Sequence, residues 1–161
     1  NAVYEIAEKD SSIVLFSSMM GHTVPPNEKC DKALRNSLAS DSLEIVKEYA
    51  KDDSSLMYNF TKRGVLLIVK DNVSRFGKKG ARINSISPGV IMTQMGLKAA
   101  EEHPEKINQL LAMTALHRTG EPDDIADVVK FMVNEDARFI TGTDILVDGG
   151  VLPSILKQAK K

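Results

Sequence analysis

Apolar residues along this chain alternate between short runs bounded by turn residues and longer stretches in which they recur three and four apart. Ser12-Ile13-Val14-Leu15-Phe16 is an almost unbroken apolar run, the pattern of a strand covered on both faces in a parallel sheet. Ala81 to Ser87 reads as a second strand, stopped by Pro88-Gly89, and Asp144-Ile145-Leu146-Val147 as a third, closed by Asp148-Gly149-Gly150. Between them, Leu56 to Phe76 carries Val65, Leu66, Val69, Val73 and Phe76 on one broad face, which predicts a long helix. Asp52-Asp53-Ser54-Ser55 offers its turn and N-cap, and Gly77 to Gly80 a left-handed C-cap.

The remaining stretches predict shorter helices. Asn1 to Lys9 reads as a helix end. Asn27 is placed to cap a helix over 28–34, and Asp41-x-x-Glu44 has the spacing of a capping box ahead of Leu43, Val46 and Tyr49. Two helical pieces follow at 93–102 and 104–113, and Pro122 opens a helix to Asn134 with Ile125, Val128, Val129 and Met132 inward. Strand, helix, strand, helix, strand is an α/β order, with right-handed crossovers and a parallel sheet. Ligands of such sheets sit beyond the carboxyl ends of the strands, where Ser18 and Pro88-Gly89 fall.

Composition narrows the function classes. The chain has 161 residues, 42% of them hydrophobic, and a net charge of −1, which suits one globular domain. No run of one sign points to nucleic acid or an anionic membrane, and Lys157, Lys160 and Lys161 read as a basic end. No apolar run reaches membrane-spanning length and no signal-peptide layout is present, so a cytoplasmic location is expected. Cys30 is the single cysteine, leaving no internal disulfide. His22, His103 and His117 are scattered without carboxylate or thiol ligands at metal spacing, so no metal is expected, and no nucleophile elbow of the serine hydrolases occurs.

The chemistry concentrates on Tyr58 and Lys62. Four apart on a helix, they share a face, and a nearby ammonium favours the phenolate, which suits a tyrosine for acid–base work at neutral pH. With them stand Ile13 to Gly21, Arg82 to Thr93, Arg118-Thr119-Gly120-Glu121-Pro122 with Ile125-Ala126, and Thr141 to Gly150. In this order the segments resemble the short-chain dehydrogenase/reductase family. The resemblance implies the C-terminal part of a Rossmann-like doubly wound parallel sheet, with three parallel strands and flanking helices in this chain. It implies Ser18, Tyr58 and Lys62 as catalytic residues. Tyr58 would donate or accept the proton, Ser18 would hold the substrate oxygen, and Lys62 would lower the Tyr58 pKa and hydrogen-bond the ribose of the cofactor. Tyr58 and Lys62 with Pro88, Gly89, Val90, Ile91 and Thr93 would bind NAD or NADP, and Ser18, Met20, Tyr58 and Met95 would meet the substrate.

The implied reaction is hydride transfer between an alcohol and a ketone or aldehyde, a bulky apolar compound among the candidates, under a lid at 94–117. A homo-oligomer, a dimer or tetramer, is implied, associating through the Tyr58 helix and through the last helix and strand. Two departures stand out. Ser18 and Tyr58 are much further apart than is usual, and the inserted segment, about 22–55, resembles that of bacterial 3α-hydroxysteroid dehydrogenase/carbonyl reductase-type members. It is read as ornament, as a flap at the substrate mouth, or as a spacer blocking a subunit contact. The family's Gly-rich turn, cofactor selector, Asn-Ala-Gly signature and catalytic asparagine are not in this sequence. Residues 1–161 are therefore expected to be the C-terminal portion of one domain, the dinucleotide-binding half lying ahead of Asn1. The alternative is a non-catalytic scaffold or a fragment unable to bind cofactor alone.

Overall fold

The computed structural model describes residues 2–158, so the expectations for Asn1, Lys160 and Lys161 lie outside the described residues. After a short helix Ala2–Ile6 (α1), strand Ser12–Phe16 (β1) is followed by helices Glu28–Arg35 (α2), Ser42–Ala50 (α3) and Ser54–Gly77 (α4). Strand Arg82–Pro88 (β2) leads to helices Gln94–Glu102 (α5), Pro104–Met113 (α6) and Pro122–Val133 (α7). Strand Asp144–Val147 (β3) and helix Val151–Gln158 (α8) close the chain. The three strands are parallel in the order β1-β2-β3, with Ile13 opposite Ile83 and Ile86 opposite Ile145.

Helices lie on both faces of the sheet. On one, Val69 and Phe76 of α4 are buried against Ile83, with Ile13, Leu15 and Val73 packed beside them. Ser12 and Arg82 alternate with Ile13 and Ile83, so they face the other way. There the Met132 carbonyl of α7 accepts from Ser12 Oγ and Arg82 Nη1, both at 2.9 Å. The fully buried Asn84 is satisfied between the Ile140 carbonyl and the Thr143 N–H, fixing the turn before β3.

Caps explain most boundaries. Asn27 accepts from Cys30 N–H, Asp53 from Ser55 and Leu56 N–H, and Thr93 from Gly96 N–H. Asp41 differs from expectation. It has helical backbone angles and makes no side-chain cap bond, because an N-cap must be extended to reach back to the first turn. Leu43 is correspondingly 57% exposed. At the other end of α4 the left-handed turn falls on Gly80, with φ +72°, while Lys78 keeps helical angles.

The inserted segment is packed structure. Cys30, Ala33 and Leu34 of α2 and Val46 and Ala50 of α3 form a core with Phe60 and Leu67 of α4. This gives α4 two buried sides where its spacing predicted one, since the sheet covers one and the insertion another. An ion pair reinforces the junction: Arg63 donates Nε and Nη2 to the two Asp31 oxygens, each at 2.6 Å.

Candidate functional site

At the carboxyl end of β1 the chain continues its ladder for one residue, Ser17 N–H donating to the Ile86 carbonyl at 2.8 Å. Ser17 Oγ also donates to the Lys62 carbonyl at 2.8 Å, tying the strand end to α4. Ser18 then caps a 3-10 turn, Met19–His22, its Oγ accepting from Met20 N–H at 3.2 Å. Both serines are buried. Tyr58, in the second turn of α4, is 44% exposed. Lys62, one turn on, has its Nζ 5.5 Å from the centre of the Tyr58 ring and donates to the Phe16 carbonyl at 3.2 Å.

A cavity of about 470 Å³ opens here. Its wall includes Ser18, Met20, Tyr58, Pro88, Gly89, Val90, Ile91, Thr93 and Met95, all singled out in the sequence. Lys62 is the one expected residue that does not line it. The rest of the wall is apolar, including Phe16, Met19, Ile107, Pro122 and Ile125. Met95, Ala99 and Ile107 bring α5 and α6 onto one side of the cavity, the place expected of a lid. Leu110 and Met113 are instead packed near Val151 and Leu152 of α8. No residue of 22–55 lines this cavity; the helices of the insertion pack on α4.

The backbone on the cavity wall is oriented by a bridge between Ile91 and Gly120. Gly120 N–H donates to the Val90 carbonyl and Met92 N–H to the Gly120 carbonyl, each at 2.8 Å. Those two bonds use the groups flanking Ile91, so the Ile91 N–H points the other way, as in any parallel bridge. The Gly120 loop is itself pinned. Arg118 donates Nη1 and Nη2 to the Asp124 carboxylate at 2.7 and 2.8 Å, and Glu121 N–H donates to the same carboxylate at 2.7 Å. The Arg118 guanidinium first, and the Glu121 amide next, hold the Asp124 carboxyl well below the usual carboxylate range.

One polar cluster was not visible in the spacing. In the sequence His22 has no carboxylate ligand at metal spacing. The fold brings Asp144 to it from 122 positions away, at 2.9 Å. Ser85 and Ser87 of β2 donate to the other Asp144 oxygen at 2.6 and 2.9 Å. Burial works to raise the Asp144 pKa, yet hydrogen bonds from His22, Ser85 and Ser87 together hold it below the ordinary value. Among the described residues no group of three or more His, Cys, Asp and Glu is placed to hold a metal ion. No described helix is long and apolar enough to cross a membrane.

Comparison with known proteins bears on this geometry. A family model described as enoyl-(acyl carrier protein) reductase matches residues 44–152, a range holding Tyr58, Lys62 and Pro88 to Thr93 but not Ser18. The chain is 39% identical over 100 residues to a 7alpha-hydroxysteroid dehydrogenase of Bacteroides fragilis, covering 62% of this chain and 38% of that protein. It is 36% identical over 145 residues to the short-chain dehydrogenase/reductase bsc3 of Alternaria brassicicola, covering 86% and 52%. The chain thus spans between about a third and a half of these two relatives. Among solved structures, ElxO with NADP bound superposes with a TM-score of 0.62 at 26% identity, over 88% of this chain and 46% of that one. The angucycline C-6 ketoreductase LanV with bound NADP shares the fold, with a TM-score of 0.67 at 23% identity over 94% and 48%.

Proposed function

Because the chain belongs to the short-chain dehydrogenase/reductase family, we propose that it carries the catalytic and substrate portion of an enzyme interconverting an alcohol with a ketone or aldehyde. The observation that carries this reading is that Ser18, Tyr58 and the Pro88–Thr93 segment, far apart in sequence, line one apolar cavity beside Lys62. In it the Tyr58 hydroxyl delivers a proton to a carbonyl oxygen in reduction and takes it back in oxidation. Ser18 holds that oxygen by a second hydrogen bond, and Lys62 sets a positive charge beside the phenol ring. The apolar wall excludes water and favours a bulky, weakly polar substrate.

The residues present suit the nicotinamide end of NAD or NADP. The Ile91 N–H turned away from Gly120 and the Thr93 hydroxyl on the wall match a carboxamide and its neighbouring oxygens, and the Tyr58 hydroxyl and Lys62 ammonium match ribose hydroxyls. When bound, the nicotinamide supplies or accepts the hydride. NADP is named with ElxO and LanV, and a hydroxysteroid substrate with the Bacteroides fragilis relative. For this chain either cofactor and either direction of reaction suit the same residues.

The test is Tyr58→Phe in protein expressed from its full coding sequence. Turnover of a ketone with NADH or NADPH should fall by about 10²–10⁴, the range for losing a general acid, with an unchanged circular dichroism spectrum. Full turnover in the variant would remove Tyr58 from the reaction. A second reading, a scaffold or a portion of a domain that does not hold cofactor alone, is favoured by β1, which pairs only with β2 among the described residues. It predicts that neither NADH nor NADPH raises the melting temperature of residues 1–161 alone.

A further inference from the structure

Asp144 joins three elements at one carboxylate, and two of them wall the cavity. From β2 come Ser85 and Ser87, the latter adjoining Pro88. The third element is the 3-10 turn that begins after Ser18 and ends at His22. Hydrogen bonds fix which ring nitrogen carries a proton. Ser87 Oγ donates to Asp144 Oδ1 at 2.9 Å, so towards His22 it can only accept. His22 Nε2 lies 3.2 Å from Ser87 Oγ and 2.9 Å from Asp144 Oδ2, both acceptors, and therefore bears the hydrogen. Serine and carboxylate share one nitrogen, whereas a hydrolytic relay needs them on opposite nitrogens. The cluster is thus no nucleophilic triad, and its His–Asp contact acts as a clamp.

The clamp's reach is short. Ser18 accepts from Met20 N–H, Gly21 N–H donates to the Ser18 carbonyl at 2.9 Å, and Thr23 donates both N–H and Oγ1 to the Met20 carbonyl at 3.1 and 2.8 Å. The turn is cross-braced from Ser18 to Thr23. Its start is tied to β2 and α4 through Ser17, and its end to β2 and β3 through His22.

We propose that His22 is a positioning residue: by donating from Nε2 to Asp144 and Ser87 it holds the 3-10 turn, and with it the Ser18 hydroxyl and the Met20 side chain, on the cavity wall that Tyr58 shares. The effect on turnover rests on the function proposed above for Ser18; the clamp itself does not. Asparagine or glutamine at position 22 keeps an N–H donor, and alanine removes it.

The experiment uses protein from the full coding sequence, with a graded series of cyclic ketones from cyclohexanone to a steroid ketone, and NADH and NADPH. His22→Ala should lower kcat at least tenfold while leaving the cofactor KM within about twofold, and His22→Gln should recover to within about threefold. In a Ser18→Ala background, His22→Ala should cost less than a further twofold, because its effect passes through Ser18. Equal losses in both backgrounds, or a lower melting temperature with kcat unchanged, would overturn the proposal. A second readout needs no turnover. The Met20 methyl resonance should move in His22→Ala and return in His22→Gln, and long-range ¹⁵N spectra should show His22 protonated at Nε2. Wild-type protein that turns over no ketone sinks the oxidoreductase reading, and the Met20 resonance then decides the clamp; an unmoved resonance or an Nδ1-only proton overturns it.

Discussion

Lys62 and Arg63 are adjacent cations on α4 with different surroundings, and these separate their roles. Lys62 points to the end of β1 and the Tyr58 ring. Arg63 points into the insertion, where its side chain is 14% exposed and that of Asp31 11%. The Asp31 hydrogen bonds come first among the causes that push the Arg63 pKa up, against the opposing effect of burial. Asp31→Ala leaves the guanidinium buried without its partner and should lower stability by about 3–5 kcal/mol. Urea unfolding measures it, and replacing both residues with apolar ones of similar volume should cost less than the single change. Asp144 gives a pH prediction. Its carboxyl sits below the ordinary value in the folded state, so its stabilisation is present above the unfolded value near 4 and is lost as pH falls through the folded one. Asp144→Asn should therefore be less stable than wild type at pH 7, by about 1–3 kcal/mol, and the gap should close as the pH drops below about 4, read from urea midpoints across that range.

Elements of this chain were legible where one local pattern decides them. The three strands and the long helix appear within a residue or two of their expected bounds, because apolar runs, cap residues and Pro-Gly stops act over a few positions. Asp41 was misread because a capping box is a pattern of residue types, while capping needs an extended backbone that the turn from Ala39 to Ser42 does not provide. The two-sided burial of α4 was hidden too, since its second partner is a segment whose own helices are only eight and nine residues long. Between elements, the 3-10 turn meets α4 so closely that a methyl group on Gly21 would lie 2.9 Å from the Lys62 carbonyl carbon. Gly21→Ala must then push the turn off the helix, costing about 1–3 kcal/mol. Because the turn carries Ser18, thermal unfolding and turnover should decline together; a variant with wild-type melting and turnover would show that the contact yields freely.

Across the whole molecule the uneven feature is β1. Its apolar sequence is that of an interior strand, yet among the described residues it pairs only with β2. Beside it a groove of about 590 Å³ is lined by Val3, Tyr4, Ile13, Leu15, Ile68 and Phe76 together with polar Arg35, Asn36, Ser37, Asn72 and Arg75. An apolar edge of this kind pairs readily with other chains. We expect residues 1–161 alone to self-associate at micromolar concentration, and protein from the full coding sequence to form a defined small oligomer, both measured by light scattering. Monodisperse monomer from residues 1–161 would count against treating them as a portion of one domain. Of the surfaces expected from the family resemblance, α2 and α3 cover one side of α4, and Val151 and Leu152 are buried within their own subunit, while Ile68 of α4 and Leu156 of α8 stay exposed.

By itself the sequence determined the order and kind of elements, the parallel α/β class, and the residues carrying the resemblance, since periodicity, capping and short motifs are local properties of the chain. Only the tertiary structure decided which of those residues meet. It put Ser18, Tyr58 and Pro88 to Thr93 on one cavity, left Lys62 beside it, set the insertion behind α4, and gave His22 a carboxylate from β3. Contacts between distant positions depend on how the sheet and its crossovers stack, and no spacing along a single chain encodes them.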